Sequence, residues 1–501
     1  MADEFAVLVV DAPLSTGVVN YTSPKITDFQ AAVVFVSGDY LTEASSAQLS
    51  LAYFSKQGPS TKAGGLSSFF RAGQSGASVA RHAASTSSAG TGLIRVLDPA
   101  TLGGDWALGT VSDLSDGIAV NWTDVSGLSS SRKVKLIVIL FGGCGVRAGS
   151  AAQNASFYVG GSPTHLLSFA KRGSFGGIAT GFSVTVGGAV DGGSIVQGFA
   201  GTCWPTAADP VSCGQYLSTT NYAGAIQEAG GVPTTVSDDA VTDFVTDGFD
   251  RDGTAVGAFW LGFNWVDDRV GLIAVETFTG SESGVTALVG LGRYCEVVIG
   301  VWIGATSSDA LQTGAPAQQL GVFVTDGVET HSISCAIDEG LDPDSMPTVA
   351  YSRYKSGEWN VVSGAGGTAF RATSVAITPT GLSIDVATSQ AGRLFLWGVS
   401  RIPALEPAAA TLDLGLPAPS LLAENRVFPT PVPIPLSVPV PTIMAPHQPN
   451  AVPIALVLPA PAVFTPAIPV IVEEPDLGPA YHESLAALLP RGLAWPKRSS
   501  P

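Results

Sequence analysis

Charge is scarce in this chain. Only 13% of the 501 residues are Asp, Glu, Lys or Arg, and 41 acidic residues outnumber 24 basic ones, for a net charge of −17. A surface of that sign repels phosphate backbones, so nucleic acid is not an expected partner. Long apolar runs are missing too. The strongest, Val134–Phe141, is interrupted by Lys135 and falls far short of the ~20 residues a membrane-crossing helix needs, so no membrane insertion is expected. The opening Met-Ala-Asp-Glu-Phe lacks the basic start of a secretory signal, which points to synthesis in a cytoplasm. Cysteine is sparse: Cys144, Cys203, Cys213, Cys295 and Cys335 are odd in number and contain no C-x-x-C. They read as packed thiols rather than a zinc site or disulfide framework, although Cys203 and Cys213 could close a short loop under oxidising conditions.

Catalytic signatures are equally thin. There is no G-x-S-x-G elbow and no H-E-x-x-H. Gly143-x-Gly145-x-x-Ala148 follows a strand-like run as a dinucleotide fingerprint does, but no helical pattern follows and no acidic residue occurs before Asp191. Gly142–Gly145 reads as a turn instead. Asp247–Gly253 has acidic residues at loop spacing without the register of a calcium loop, and reads as a solvated turn. The chain is therefore not expected to be an enzyme, and no metal or other cofactor is expected.

What the sequence does hold is apolar: 46% hydrophobic residues, enough for real cores. Helical periodicity is scarce. Short β-branched and aromatic runs recur between Gly, Ser, Asp and Asn clusters, at Ala31–Val36, Gln48–Tyr53, Val134–Phe141, Val297–Ile303 and Leu394–Val399. Gly117–Trp122 and Gly381–Val386 alternate at period two, as half-buried strands do. These runs align into an internal repeat. Copy one opens at Val33, has a glycine marker at Gly117 and closes at Ile137–Gly143. Copy two opens near Leu167, has Gly253 and closes at Leu272–Val275. Copy three opens at Val298, has Gly381 and closes at Leu394–Val399. The expectation is a mainly β protein of tandem antiparallel β-sandwich modules over 1–148, 149–280 and 281–402.

Proline marks the next boundary. Twelve of the 34 prolines lie in residues 1–400 and twenty-two beyond them. Residues 403–478 read as an extended arm, and 479–501 as a short C-terminal helix with a docking tail. One unit occurs three times in the arm, with starts 22 and 20 residues apart. It places Leu414, Leu416 and Leu421 around Pro417 and Pro419. It then places Leu436, Val438 and Ile443 around Pro439 and Pro441, and Leu456, Leu458 and Val463 around Pro459 and Pro461. Proline fixes φ and donates no hydrogen bond, so these units suit an extended or polyproline II path. Residues 414–475 could span on the order of 190 Å at ~3.1 Å per residue. An arm so apolar and so poor in charge is expected to lie along other protein, those side chains filling successive pockets; a stiff linker is the alternative. Leu485, Leu488, Leu489 and Trp495 are the further docking residues in the tail.

The repeat resembles a known module. Phe29–Asp39 (FQAAVVFVSGD), Ser78–Gly90 (SVARHAASTSSAG), Ser115–Val125 (SDGIAVNWTDV) and Arg132–Gly143 (RKVKLIVILFGG) resemble a β-sandwich module of tailed-bacteriophage structural proteins. The resemblance covers residues 20–143 well, 285–400 in part and 150–280 loosely. Tyr481–Arg498 (YHESLAALLPRGLAWPKR) resembles the opening of a baseplate protein family of Mu-like contractile-tail phages, although this chain stops where that family continues. These resemblances imply a virion structural protein at the tail tip, baseplate or fibre attachment. It would be present in several copies in a symmetric assembly and held to other tail or baseplate proteins through residues 403–501. Two alternatives stand beside this reading: a tail protein that binds host-surface glycan, and a capsid decoration or head-fibre protein. For glycan, Trp204 and Trp359 are the candidates for stacking against sugar rings, because both sit in loop-like sequence.

Overall fold

The computed structural model describes residues 4–401 apart from 40–45, 57–62, 72–79, 88–93, 98–104, 132, 152–156, 159–161, 173–177, 205–212, 230–231, 254–256, 266–268, 289, 314–316, 339–349 and 364–366. Every regular element among these residues is a β-strand, and every pairing between strands is antiparallel. The arm, the expected C-terminal helix and their thirteen candidate docking residues lie outside the described residues.

The strands fall into three sets of ten with one topology. In the first set the larger sheet has the order Glu4–Asp11, Lys133–Gly142, Phe29–Asp39, Ser46–Ser55, Ala63–Arg71, Ala80–Ser87. In chain order these are strands one, ten, three, four, five and six. The facing sheet has Gly17–Thr22, Gly117–Asp124, Asp105–Asp113, Ile94–Leu97, which are strands two, nine, eight and seven. The second set repeats both orders. Its larger sheet runs Gly145–Ala151, Gly257–Asn264, His165–Lys171, Phe182–Asp191, Ile195–Trp204, Gly214–Ser218, and its smaller one Phe157–Tyr158, Gly248–Gly253, Val232–Val245, Ala223–Ala229. The third set does so again, with Arg269–Thr279, Ala391–Arg401, Val297–Ile303, Ala317–Thr325, Thr330–Asp338, Ala350–Ser356 over Gly284–Leu288, Gly381–Thr388, Thr368–Thr378, Trp359–Val362. Even the irregularities recur: in each set the seventh–eighth and the eighth–ninth pairings carry a register shift. Such bulges bend and twist a strand locally.

The pairing moves two boundaries. Gly145–Ala151 pairs with Gly257–Asn264, so the second module starts at Gly145 and not at 149. Arg269–Thr279 pairs with Ala391–Arg401 and opens the third module; Leu272–Val275 does not close the second. That closing strand is Gly257–Asn264. The ninth strands begin at Gly117, Gly248 and Gly381, which makes Gly248 rather than Gly253 the repeated marker and the spacings 131 and 133 residues.

The central strands of each larger sheet are buried on both faces, which explains their uninterrupted apolar runs. In Phe29–Asp39, Val34 and Val36 turn inward to the module's own core with Trp122, Val120 and Leu136. Val33 and Phe35 turn to a second core shared by all three modules. The equivalent pairs Leu167 and Phe169, and Ile299 and Val301, point into that same shared core. At about 1.5–3 kcal/mol for each fully buried large apolar side chain, this shared core is a main source of stability. All three modules belong to one compact unit of the chain.

Candidate functional site

The most elaborate chemistry among the described residues lies where modules meet. The link from module one to module two is only Gly143 and Cys144, and Gly143 takes the left-handed conformation, φ +67°. The residues after this turn form a strand, which removes the helix that a dinucleotide site requires. The modules are then tied by strand exchange. Between its third and fourth strands, module two sends Ile178–Thr180 to pair with Arg81–Ala83, on the sixth strand of module one. Module three does the same, with Gln312–Thr313 pairing with Gly214 and Gln215 on the sixth strand of module two.

Side chains complete each junction at one equivalent position. Gln48, Ser183 and Gln319 each lie three residues before the fourth-strand residue that faces Phe35, Phe169 or Val301. The Ser68 hydroxyl of module one donates to the Ser183 carbonyl at 3.0 Å and accepts from its N–H at 3.4 Å. Gln215 of module two donates through Nε2 to the Gln319 carbonyl at 3.5 Å. Ser352 of module three accepts from the Gln48 N–H at 2.6 Å and donates to its carbonyl at 3.3 Å. The direction of contact is one to two, two to three and three to one, so the modules close a ring. Interfaces that join unlike surfaces in this way close only when the rotation between neighbours returns to its start.

Two further features stand on these junctions. Asp309, the only non-glycine residue at positive φ (+56°) among those described, accepts from Thr219 N at 2.8 Å, Thr219 Oγ1 at 2.5 Å and Ser218 Oγ at 3.2 Å, while its N–H donates to the Leu217 carbonyl at 2.7 Å. It clamps module three onto module two. The second feature is an aromatic knot with residues from all three modules. Phe141 and Phe263 have centroids 5.0 Å apart, and Trp397 lies 6.2 Å from the first and 5.5 Å from the second. His165 stacks on Trp397 at 4.5 Å with rings 9° from parallel. It is fully buried, and neither ring nitrogen has a hydrogen-bond partner. Burial drives its pKa down to about 3, so the ring stays neutral. The Trp397 indole N–H donates to the Leu166 carbonyl at 3.1 Å, which orients it under the imidazole.

The sugar-stacking residues need correction. Trp204 is fully buried with its ring 3.7 Å from that of Phe182. Trp359 is fully buried among Phe278, Phe323 and Phe370. Neither offers a face to a ligand. Sequence local to Trp204 and Trp359 looks like loop because each stands at a strand end, and strand ends in a double-layered sandwich are still inside. Of the Asp247–Gly253 stretch, read as a solvated turn, only Asp247 lies in the turn; Gly248–Gly253 is a strand paired with Val232–Val245, and its Arg251 pairs with buried Asp239. Burial raises the Asp239 carboxyl to about 6, against the lowering effect of Arg251. No group of three or more His, Cys, Asp or Glu side chains among the described residues could hold a metal ion. None of the five cysteines forms a disulfide, and all five are buried. Cys203 pairs with Gly214, next to Cys213 in the chain, but the two thiols fall in different apolar clusters on opposite faces of the sheet. His165, Asp309 and the Gln48 junction carry no motif, since nothing in their local sequence marks a contact made 90 to 304 residues away.

No family model matches the chain, and neither a curated protein nor a solved structure is significantly similar to it.

Proposed function

We propose that this protein is a structural component of a tailed-phage virion, placed at the tail tip, baseplate or fibre attachment. In this reading the three-module body is the projecting part and residues 403–501 are the attachment. The observation that carries it is the association in one chain of a closed ring of β-sandwiches, tied by strand exchange and a common core, with a proline-punctuated arm that repeats one apolar unit three times. A rigid cargo and an extended apolar tether suit a part that must be held by neighbours. Many shallow contacts along such a tether add up through effective concentration. The resemblances of Phe29–Gly143 to a phage sandwich module and of Tyr481–Arg498 to a baseplate protein support the placement.

The test is a chain truncated after Arg401, expressed in place of the full protein. The expected outcome is a soluble, folded body missing from purified particles, while full-length chain co-purifies with them at constant stoichiometry. Normal incorporation of the truncated body would refute the tether.

A further inference from the structure

We infer that the body acts as a single-chain trimer, and that the protein it sits on presents three identical subunits, or a multiple of three, about one axis that this chain caps as one copy. The inference rests on the virion reading above and adds the symmetry and stoichiometry of the partner.

Three observations carry it. The first is that all three modules share one strand order, down to the register shifts around the eighth strand. The second is that the junctions are cyclic. Ile178–Thr180 completes module one, Gln312–Thr313 completes module two, and Ser352 of module three returns to Gln48 of module one. A homotrimer would use these same head-to-tail surfaces between chains. Here one chain consumes them, so they cannot recruit further copies. What repeats around the ring and is left over faces outward.

The third observation is on that outward surface. Seven large apolar side chains among the described residues are exposed, and two of them occupy one topological position. Val18 stands opposite Asn121, and Val285 opposite Asp385; each partner is the fourth residue after the glycine that opens its ninth strand. Val18 is 66% exposed and Val285 79%. Each follows a glycine at positive φ, Gly17 at +137° and Gly284 at +69°. Both second strands are edge strands, pairing on one side only among the described residues. Local folding gives no reason for a bare valine at the same edge of two modules. A partner that offers the same apolar contact each time the surface recurs does give one, and a subunit ring with a threefold axis is such a partner. In modules one and three, where this position is described, the valine stands beside a polar residue, Asn121 or Asp385, on an open strand edge that a neighbouring protein strand can extend.

The experiment has three readings on the full-length chain. The mass of the purified protein in solution should be that of one 51.0 kDa chain. Quantitative mass spectrometry of purified particles, with cross-linking to find the neighbour, should give one copy of this chain to three, or a multiple of three, of the subunit it contacts. The double variant Val18→Asp with Val285→Asp should keep the parent's melting temperature and monomer mass yet lower its retention on particles about tenfold, as the loss of ~1.4 kcal/mol would. A homotrimer in solution, a one-to-one ratio with the contacted subunit, or undiminished retention of the double variant would each overturn the inference. Absence of the wild-type chain from particles would instead overturn the virion reading.

Discussion

Positions 31, 165 and 297 are one place in three copies, and they hold Ala, His and Val. Only His165 can respond to pH. Buried, its imidazole stays neutral down to about pH 3; in an unfolded chain it protonates near the ordinary 6.5. Unfolding therefore takes up a proton below pH 6.5, and stability drains away as pH falls from 6.5 towards 3, at about 1.4 kcal/mol per pH unit. Above 6.5 the residue adds no pH dependence. Asp239 has the opposite sign: its carboxyl is raised to about 6 when folded, so its contribution weakens as pH rises from 3.8 to 6. A variant comparison separates the two. Between pH 6.5 and 5, denaturant titrations should show His165→Leu gaining about 2 kcal/mol on the parent protein. An unchanged difference would mean that the imidazole is hydrated. The thiols are a second residue-scale case. Burial raises Cys203 and Cys295 to about 12 and Cys335 further still. A thiol reagent at pH 8 should label none of the five cysteines in the folded body within minutes and all five after denaturation.

Strands and turns were largely legible as elements, because period-two alternation and continuous apolar runs are written locally. Val33, Leu167 and Val298 do lie on equivalent third strands, and Ile137–Gly143 and Leu394–Val399 overlap tenth strands. The failures sit in module two. Its ninth strand opens on Gly248-Phe-Asp-Arg, and the acidic residues there hide the alternation that Gly117-Ile-Ala-Val displays. Leu272–Val275 reads as the close of copy two but belongs to the first strand of module three, because a strand's sequence does not say which neighbour it will pair with. The clamp at Asp309 gives a prediction at this scale. Asp309→Ala loses three acceptor contacts and keeps an unfavourable left-handed backbone, and should destabilise the body by roughly 2–3 kcal/mol. Asp309→Asn tolerates that backbone and keeps one acceptor oxygen, so it should cost less. Urea unfolding of the two variants checks the order.

At the scale of the whole molecule, the shared core makes three modules one cooperative object. Separate domains joined by linkers would melt one by one, but here Val33, Leu167 and Ile299 belong to one apolar cluster. Calorimetry of the body, residues 1–401, should show a single transition. Trp397→Ala, which empties the aromatic knot, should lower that transition as a unit by about 3–5 kcal/mol rather than split off module three. Three resolved transitions would show that the common core does not couple the modules.

The amino-acid sequence alone determined that the body is β, that it repeats, and that proline separates it from the last hundred residues. Those properties follow from backbone φ preference and the two-residue period of a strand, which act over a few neighbours. Tertiary structure decided how the copies pair. It closed the ring through Ser68, Gln215 and Ser352, buried Trp204 and Trp359, and left Val18 and Val285 in the open. Each of these depends on which distant surface a side chain meets, and the free energy of that meeting belongs to the packed pair and to neither segment by itself.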